Sequence, residues 1–168
     1  MIIPLARGAL SLEALCAILH TEAPLTCKRA VPLRLVTNSG EVTPGDLFCA
    51  LNGRRDGHAY TSEAASRGAV AVLAEKSTQA PIPHILVPST RTALADWAIA
   101  VTSDRKPLRI GITGSVGKTT VKDAVAAMLS VRFSVHATYE NRNNDLGLPF
   151  TLLSSPKECD MLVWVRKE

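Results

Sequence analysis

The sequence predicts an α/β protein: a small N-terminal α/β domain, then the first part of a parallel-sheet domain built around a phosphate-binding loop. Three observations carry this. Short apolar runs alternate with stretches of helical spacing along the chain, the pattern of strands joined by helices. Hydrophobic residues make up 46% of the 168 residues but aromatics only 4%. The core is therefore built from Ala, Val, Leu and Ile, as layered α/β sheets often are. Finally, the glycine-containing segment Gly111–Thr120 stands between an apolar run and a helical one. There, backbone N–H groups and a helix N-terminus can hold phosphate oxygens.

The elements follow in order. Ser11 can cap a helix whose Leu12, Leu15, Cys16 and Leu19 share one face. Thr43-Pro44-Gly45-Asp46 signals a turn, and Leu47–Leu51 a buried strand. Asn52–His58 is a polar loop, Tyr60–Arg67 a helix stopped by Gly68, and Ala69–Leu73 and His84–Val87 two further strands. Ser89 or Thr90 can cap a helix with Leu94, Trp97, Ala98 and Val101 on one face. Asp104–Pro107 is polar, ends in proline and reads as a linker, which divides the chain into domains 1–106 and 107–168. In the second domain Leu108–Ile110 is a strand, and Val121–Leu129 is a helix with apolar residues at 121, 125, 128 and 129. Phe133–Ala137 is a strand, Asn141–Asp145 a loop, Leu148–Leu153 a short helix and Asp160–Val165 a third strand.

Charge and cysteine usage narrow the function. The net charge of +4 is scattered in pairs such as Lys28-Arg29, Arg54-Arg55 and Arg105-Lys106, with no basic stripe. Nothing prompts a nucleic-acid partner, and the excess suits an anionic small molecule. No apolar run approaches membrane-spanning length, and Arg7 and Glu13 break the apolar N-terminus, so neither a membrane span nor a signal peptide is expected. The four cysteines form no C-x-x-C pair. Cys16 and Cys49 read as small core residues of a reduced, cytoplasmic protein and not as metal ligands. A monomer is expected.

The loop carries the chemistry. Gly114 and Gly117 lack Cβ and can approach a phosphate closely. Lys118 can place its ammonium on the β/γ oxygens, and Thr119 can offer a hydroxyl to the magnesium ion that accompanies ATP. Ser115, Val116 and Thr120 complete the ATP-binding stretch. Position 112 is Ile, so the spacing is G-x-x-G-K-T-T and not G-x-x-x-x-G-K-[ST]. The competing reading is an ordinary glycine turn with an exposed lysine.

Four segments together resemble the Mur ligases of peptidoglycan synthesis. Pro44–Gly53 followed by Asp56-Gly57-His58 is similar to the family's UDP-sugar-binding domain, and Gly68–Leu73 continues that pattern. Thr113–Thr120 is similar to its ATP loop. Asn141-x-Asn-Asn-Asp-x-Gly-x-Pro149 resembles the segment that favours the member joining D-alanyl-D-alanine to UDP-N-acetylmuramoyl-tripeptide (UDP-MurNAc-tripeptide). The member adding the third peptide residue is a close alternative.

The resemblance implies ATP-dependent amide formation through an acyl phosphate. Lys118 and Mg²⁺ would neutralise charge, with Thr119 as a metal ligand. Asn141 and Asn144, with Asn143, would line the cleft. Ser39, Asp56, Gly57 and His58 would meet the UDP-sugar. The asparagines also suit a turn cluster, and Asp56 and His58 also suit loop and cap hydrogen bonds. Two departures stand out. Asn38-Ser39-Gly40 lacks the arginine the family usually carries after that serine or threonine. The family's magnesium-binding glutamate aligns with Val165, which offers no oxygen to a hard cation. Glu168 lies three residues on, roughly 10 Å further along a strand and on its other face. The sequence stops within that strand, so a truncated ligase without turnover is expected. The alternatives are a non-catalytic module binding UDP-sugar and ATP, and an unrelated P-loop NTPase.

Overall fold

The computed structural model describes residues 2–5, 10–24, 29–53, 55–103, 107–138, 146–156 and 158–165. Two compact units divide it, Met1–Trp97 and Ala98–Glu168. The expected linker residues Asp104, Arg105 and Lys106 lie outside the described residues.

The first unit is a five-stranded sheet in the order β1-β2-β3-β4-β5. Its strands are β1 (Ile2–Pro4), β2 (Arg34–Val36), β3 (Leu47–Cys49), β4 (Ala71–Ala74) and β5 (His84–Leu86). β1 pairs antiparallel with β2, and the remaining pairs are parallel. The helices are α1 (Leu12–Ile18), α2 (Thr61–Ser66) and α3 (Thr90–Ser103), which starts in this unit and runs into the second from Ala98. Ser11 caps α1 as its sequence predicts, accepting from the Ala14 N–H at 3.2 Å. Parallel strands need both faces covered, and here they are. Val36, Phe48, Val72 and Ala74 join Ala64 of α2 in one apolar cluster. The alternate residues Leu35, Leu47, Cys49, Ala71, Leu73 and Ile85 point to the other face and are also buried. Cys16, Cys49 and Cys159 are buried and form no disulfide among the described residues, and burial pushes the Cys49 thiol up. Cys27 lies outside the described residues.

β1 and β2 were absent from the sequence expectation. Each is only three residues long, and Pro4 and Arg34 blur the apolar signal. Arg34 is nonetheless well used. Its guanidinium donates to both carboxylate oxygens of Asp46, at 2.8 and 2.6 Å. Asp46 is 0% exposed and also accepts from the Thr43 N–H at 2.8 Å. Burial pushes this carboxyl up, but the Arg34 and Thr43 bonds hold it below its ordinary value. The turn Thr43–Asp46 is thereby fixed to β2, and β3 starts from it.

The second unit is a parallel three-stranded sheet in the order β6-β8-β7. β6 is Leu108–Ile112, β7 Val135–Ala137 and β8 Met161–Val165, with α4 (Lys118–Leu129) and α5 (Gly147–Ser154) between them in sequence. The last strand is thus inserted in the middle. Asp160 ties the lower ends together: its carbonyl accepts from the Leu108 N–H and its carboxylate from the Ser134 N–H, both at 2.9 Å. Phe133, expected in β7, donates its N–H to the Leu129 carbonyl and so still belongs to the turn after α4.

Of the apolar residues expected along α4, Val125 and Leu129 are half-buried. Val121 is half exposed and Met128 is 67% exposed, whereas Lys122 is buried. Leu108 and Phe133 are exposed as well. Among the described residues no helix is long and apolar enough to cross a membrane.

Asp46 gives a first test. Removing one partner of a buried ion pair costs about 3 to 5 kcal/mol. Arg34 is partly exposed and can rehydrate, so Asp46→Asn is expected at the low end, about 3 kcal/mol. The readout is urea unfolding followed by Trp97 fluorescence in a Trp164→Phe background. Because the folded pKa of Asp46 is depressed, its contribution is complete above about pH 5 and is lost on acidification through the folded value. The substitution should therefore flatten the acid limb of stability below about pH 4.

Candidate functional site

The loop from β6 to α4 is the best-formed candidate site. β6 ends at Ile112, in register with Val165 of β8. Gly114 (φ +142°) and Gly117 (φ +77°) both take backbone conformations that L side chains rarely adopt. Gly117 is the N-cap of α4, and no side chain caps that helix. Nothing lies within 4 Å of where a Gly117 Cβ would sit, so its glycine is required by conformation and not by crowding. An uncapped helix N-terminus leaves backbone N–H groups for an outside acceptor. The partial positive end of the helix favours an anion there. The Lys118 ammonium donates to the Gly114 carbonyl, within its own loop. Ser115, Val116 and Thr120 are exposed around it, and Thr119 is half-buried at the first turn of α4.

These features fit a nucleotide's phosphates. For magnesium, the described residues contain no cluster of three or more His, Cys, Asp or Glu. The side-chain oxygens of Gly114–Thr120 are the hydroxyls of Ser115, Thr119 and Thr120, and phosphates and waters usually complete the shell of this ion. Val165 lies level with the start of the loop and is buried. Asn141, Asn143 and Asn144 lie outside the described residues.

The second group sits in the first unit, where loops follow the C-terminal ends of the parallel strands. Gly57 is fixed by close approach. A Cβ there would meet the Leu51 backbone at 2.8 Å, and its N–H donates to the Leu51 carbonyl at 2.9 Å. The 3₁₀ turn Gly57–Tyr60 begins here, capped by Asp56, whose carboxylate accepts from the His58 N–H at 3.0 Å. His58 is 5% exposed, and both ring nitrogens are occupied. Nε2 accepts from the Glu75 N–H at 3.0 Å, so the proton is on Nδ1, which donates to Asp56 at 2.5 Å. Lys76 also bonds Asp56, at 2.8 Å. Lys76 foremost, then His58, hold the Asp56 carboxyl well below the usual carboxylate range.

Ser39 begins a second 3₁₀ turn, Ser39–Glu41, and donates to Glu63 of α2 at 2.7 Å. Both turns rest against α2. The expected UDP-sugar residues Ser39, Asp56, Gly57 and His58 are thus gathered around one helix by internal bonds. His58 in this arrangement offers no ring nitrogen to a ligand.

The sequence reading missed Glu75. Its carboxylate accepts from both the N–H and the hydroxyl of Thr90 at 2.9 Å, adding to the Ser89 cap of α3. Its backbone holds His58. The available signal was positional: Glu75-Lys76 follow a parallel strand directly, where such sheets place polar groups.

Residues 112–164 match the Mur ligase middle domain family. The chain is 38% identical over 133 residues to the UDP-N-acetylmuramoyl-tripeptide–D-alanyl-D-alanine ligase of Bacillus subtilis (strain 168), covering 77% of this chain and 29% of that relative. The enzyme of the same description from Escherichia coli (strain K12) is 38% identical over 130 residues, with coverage of 77% and 29%. Among solved structures, MurF from Acinetobacter baumannii superposes with a TM-score of 0.85 at 29% identity, covering 98% of this chain and 36% of that one. The MurF ligase of Thermotoga maritima in complex with ADP gives 0.72 at 38% identity, covering 78% and 31%. The chain therefore spans about 29% of the length of the curated relatives it matches.

The His58 bonds separate a structural role from a binding one. His58→Ala leaves the partly buried Glu75 N–H without its acceptor, a loss of about 1 kcal/mol before any cavity term. Thermal unfolding should show that loss with no ligand present. Unchanged stability, with weaker UDP-sugar binding, would assign His58 to the ligand instead.

Proposed function

The chain belongs to the Mur ligase family, and on that premise we propose that it carries the nucleotide loop and the UDP-sugar unit of a ligase joining D-alanyl-D-alanine to UDP-MurNAc-tripeptide. Residues 1–106 form the UDP-sugar-binding domain, and residues 107–168 belong to the ATP-binding domain. The observation that carries the proposal is the Gly114–Thr120 loop. It combines two glycines at positive φ, an uncapped helix N-terminus and a lysine already folded toward the loop. The Thermotoga maritima relative, solved in complex with ADP, supports a nucleotide-binding reading.

In the proposed reaction a carboxylate oxygen of the tripeptide bonds to the γ-phosphorus of ATP, and ADP leaves. The dipeptide amine then bonds to the acyl carbon, phosphate leaves, and the amine gives up a proton. Such phosphoryl transfer is accelerated mainly by positioning and charge neutralisation. The loop N–H groups bind the phosphates, and Lys118 swings from the Gly114 carbonyl to the β/γ oxygens. Thr119 would hold the accompanying Mg²⁺, which would supply further positive charge. Asn141 and Asn144 orient substrate oxygens. The setting is cytoplasmic, and the chain is a monomer. Val165 favours binding without turnover in this polypeptide, since a valine beside the loop gives magnesium no oxygen.

Calorimetry on the full chain tests both sites. ADP–Mg²⁺ and UDP-MurNAc-tripeptide should each bind. Lys118→Ala should weaken the nucleotide about tenfold or more, the scale of losing a charge-assisted bond, and leave the UDP-sugar unchanged. No heat with either ligand would refute the proposal. Phosphate release with tripeptide, D-Ala-D-Ala and ATP should stay at background, and a normal ligase rate would refute the role given to Val165.

A further inference from the structure

The helix that carries the nucleotide loop is docked unusually. Lys122 is the one buried residue of α4, 4% exposed. Its apolar neighbours give the helix little hold: Val121 and Met128 are exposed, and Val125 and Leu129 are only half-buried. The Lys122 ammonium instead donates to the Thr138 carbonyl at 2.6 Å. Its ion partner, Asp123 at 2.9 Å, is largely exposed. Thr138 is itself immobilised. Its N–H donates to the Val163 carbonyl of β8 at 2.9 Å, and its hydroxyl accepts from Thr151 of α5 at 3.1 Å. Thr138, just after β7, is thus held by three elements through three different groups: α4 through its carbonyl, β8 through its N–H and α5 through its hydroxyl.

A buried ammonium is costly unless it is paired and hydrogen-bonded. An apolar residue would dock a helix more cheaply but without direction. The lysine fixes both the rotation of α4 and its height over the sheet. Lys118 stands one turn earlier on the same face, four residues away, so any slip of α4 displaces the loop amides and Lys118 together.

We propose that Lys122 is a positioning residue for nucleotide binding, acting through α4 by its bond to the Thr138 carbonyl. This rests on the nucleotide reading given above. Calorimetry with ADP–Mg²⁺ on the full chain, with thermal melts in parallel, tests it on wild type, Lys122→Met, Lys122→Arg and Val125→Ala. A misplaced hydrogen bond to a charged phosphate forfeits about 1.5 to 3 kcal/mol, so Lys122→Met should weaken ADP–Mg²⁺ by about tenfold or more. Lys122→Arg, which keeps a cationic donor, should recover part of that affinity. Val125→Ala removes packing from the same helix and should lower the melting temperature with little loss of affinity. Should Lys122→Met fail to fold, Lys122→Gln, too short to reach Thr138, is judged by the same criterion. The inference is overturned if the lysine variant binds within twofold of wild type, or if Val125→Ala loses as much affinity for an equal drop in melting temperature. Wild type that does not bind ADP–Mg²⁺ overturns the nucleotide reading itself, and this inference with it.

Discussion

Gly117, which brings no side chain to the cap position of α4, is the constraint on which the second unit turns. Every helix N-terminus leaves N–H groups that its own backbone cannot satisfy. α1 settles part of this debt with Ser11, and α3 does so with Ser89 and Glu75. α4 does neither: Gly117 occupies its cap position with no side chain to offer. A glycine there supports a left-handed turn, and on the proposed reading an incoming anion is the acceptor that completes the helix. The parallel pairing of β6 with β8 sets that terminus at the C-terminal end of the sheet, where α/β folds receive ligands.

The first unit uses buried polar groups for a different purpose. Asp46 locks a turn to β2, and His58 joins the Asn52–His58 loop to the end of β4. Glu75 passes the connection on to α3. Each of these groups is satisfied by a named partner, which is the condition for a buried polar group to be tolerated. The result is a set of loops at one end of a sheet whose backbone is tied down before any ligand arrives. The residues most suggestive of ligand contact are therefore also those that shape the loops. Lys122 repeats the device in the second unit, where a directed bond replaces apolar packing.

Much of the architecture was legible in the chain. The alternation of strand and helix, the Ser11 cap and the glycine loop all followed from local rules that the structure obeys. What was not legible depended on partners distant in sequence. β2 is recognisable only once Arg34 has Asp46 to bond, and β8 lies between β6 and β7 for reasons no local pattern contains. The apolar spacing of α4 named the helix and two of its inward residues, Val125 and Leu129, but not Lys122, because a lysine whose ammonium finds a backbone carbonyl can take a core position. Phe133 looked like strand because aromatic residues favour strands, yet its N–H closes the end of α4. The asparagines at 141, 143 and 144 were singled out by resemblance alone and lie outside the described residues.

The account as a whole asks whether the Gly114–Thr120 backbone receives phosphate. Amide nitrogen–proton spectra of the labelled chain, titrated with ADP–Mg²⁺, measure this directly. The largest shifts should fall on the N–H groups of Gly114 to Thr120, with smaller ones along the first turn of α4 and little change in the first unit. Saturating nucleotide that leaves those amides unmoved, or shifts confined to residues before Trp97, would contradict it.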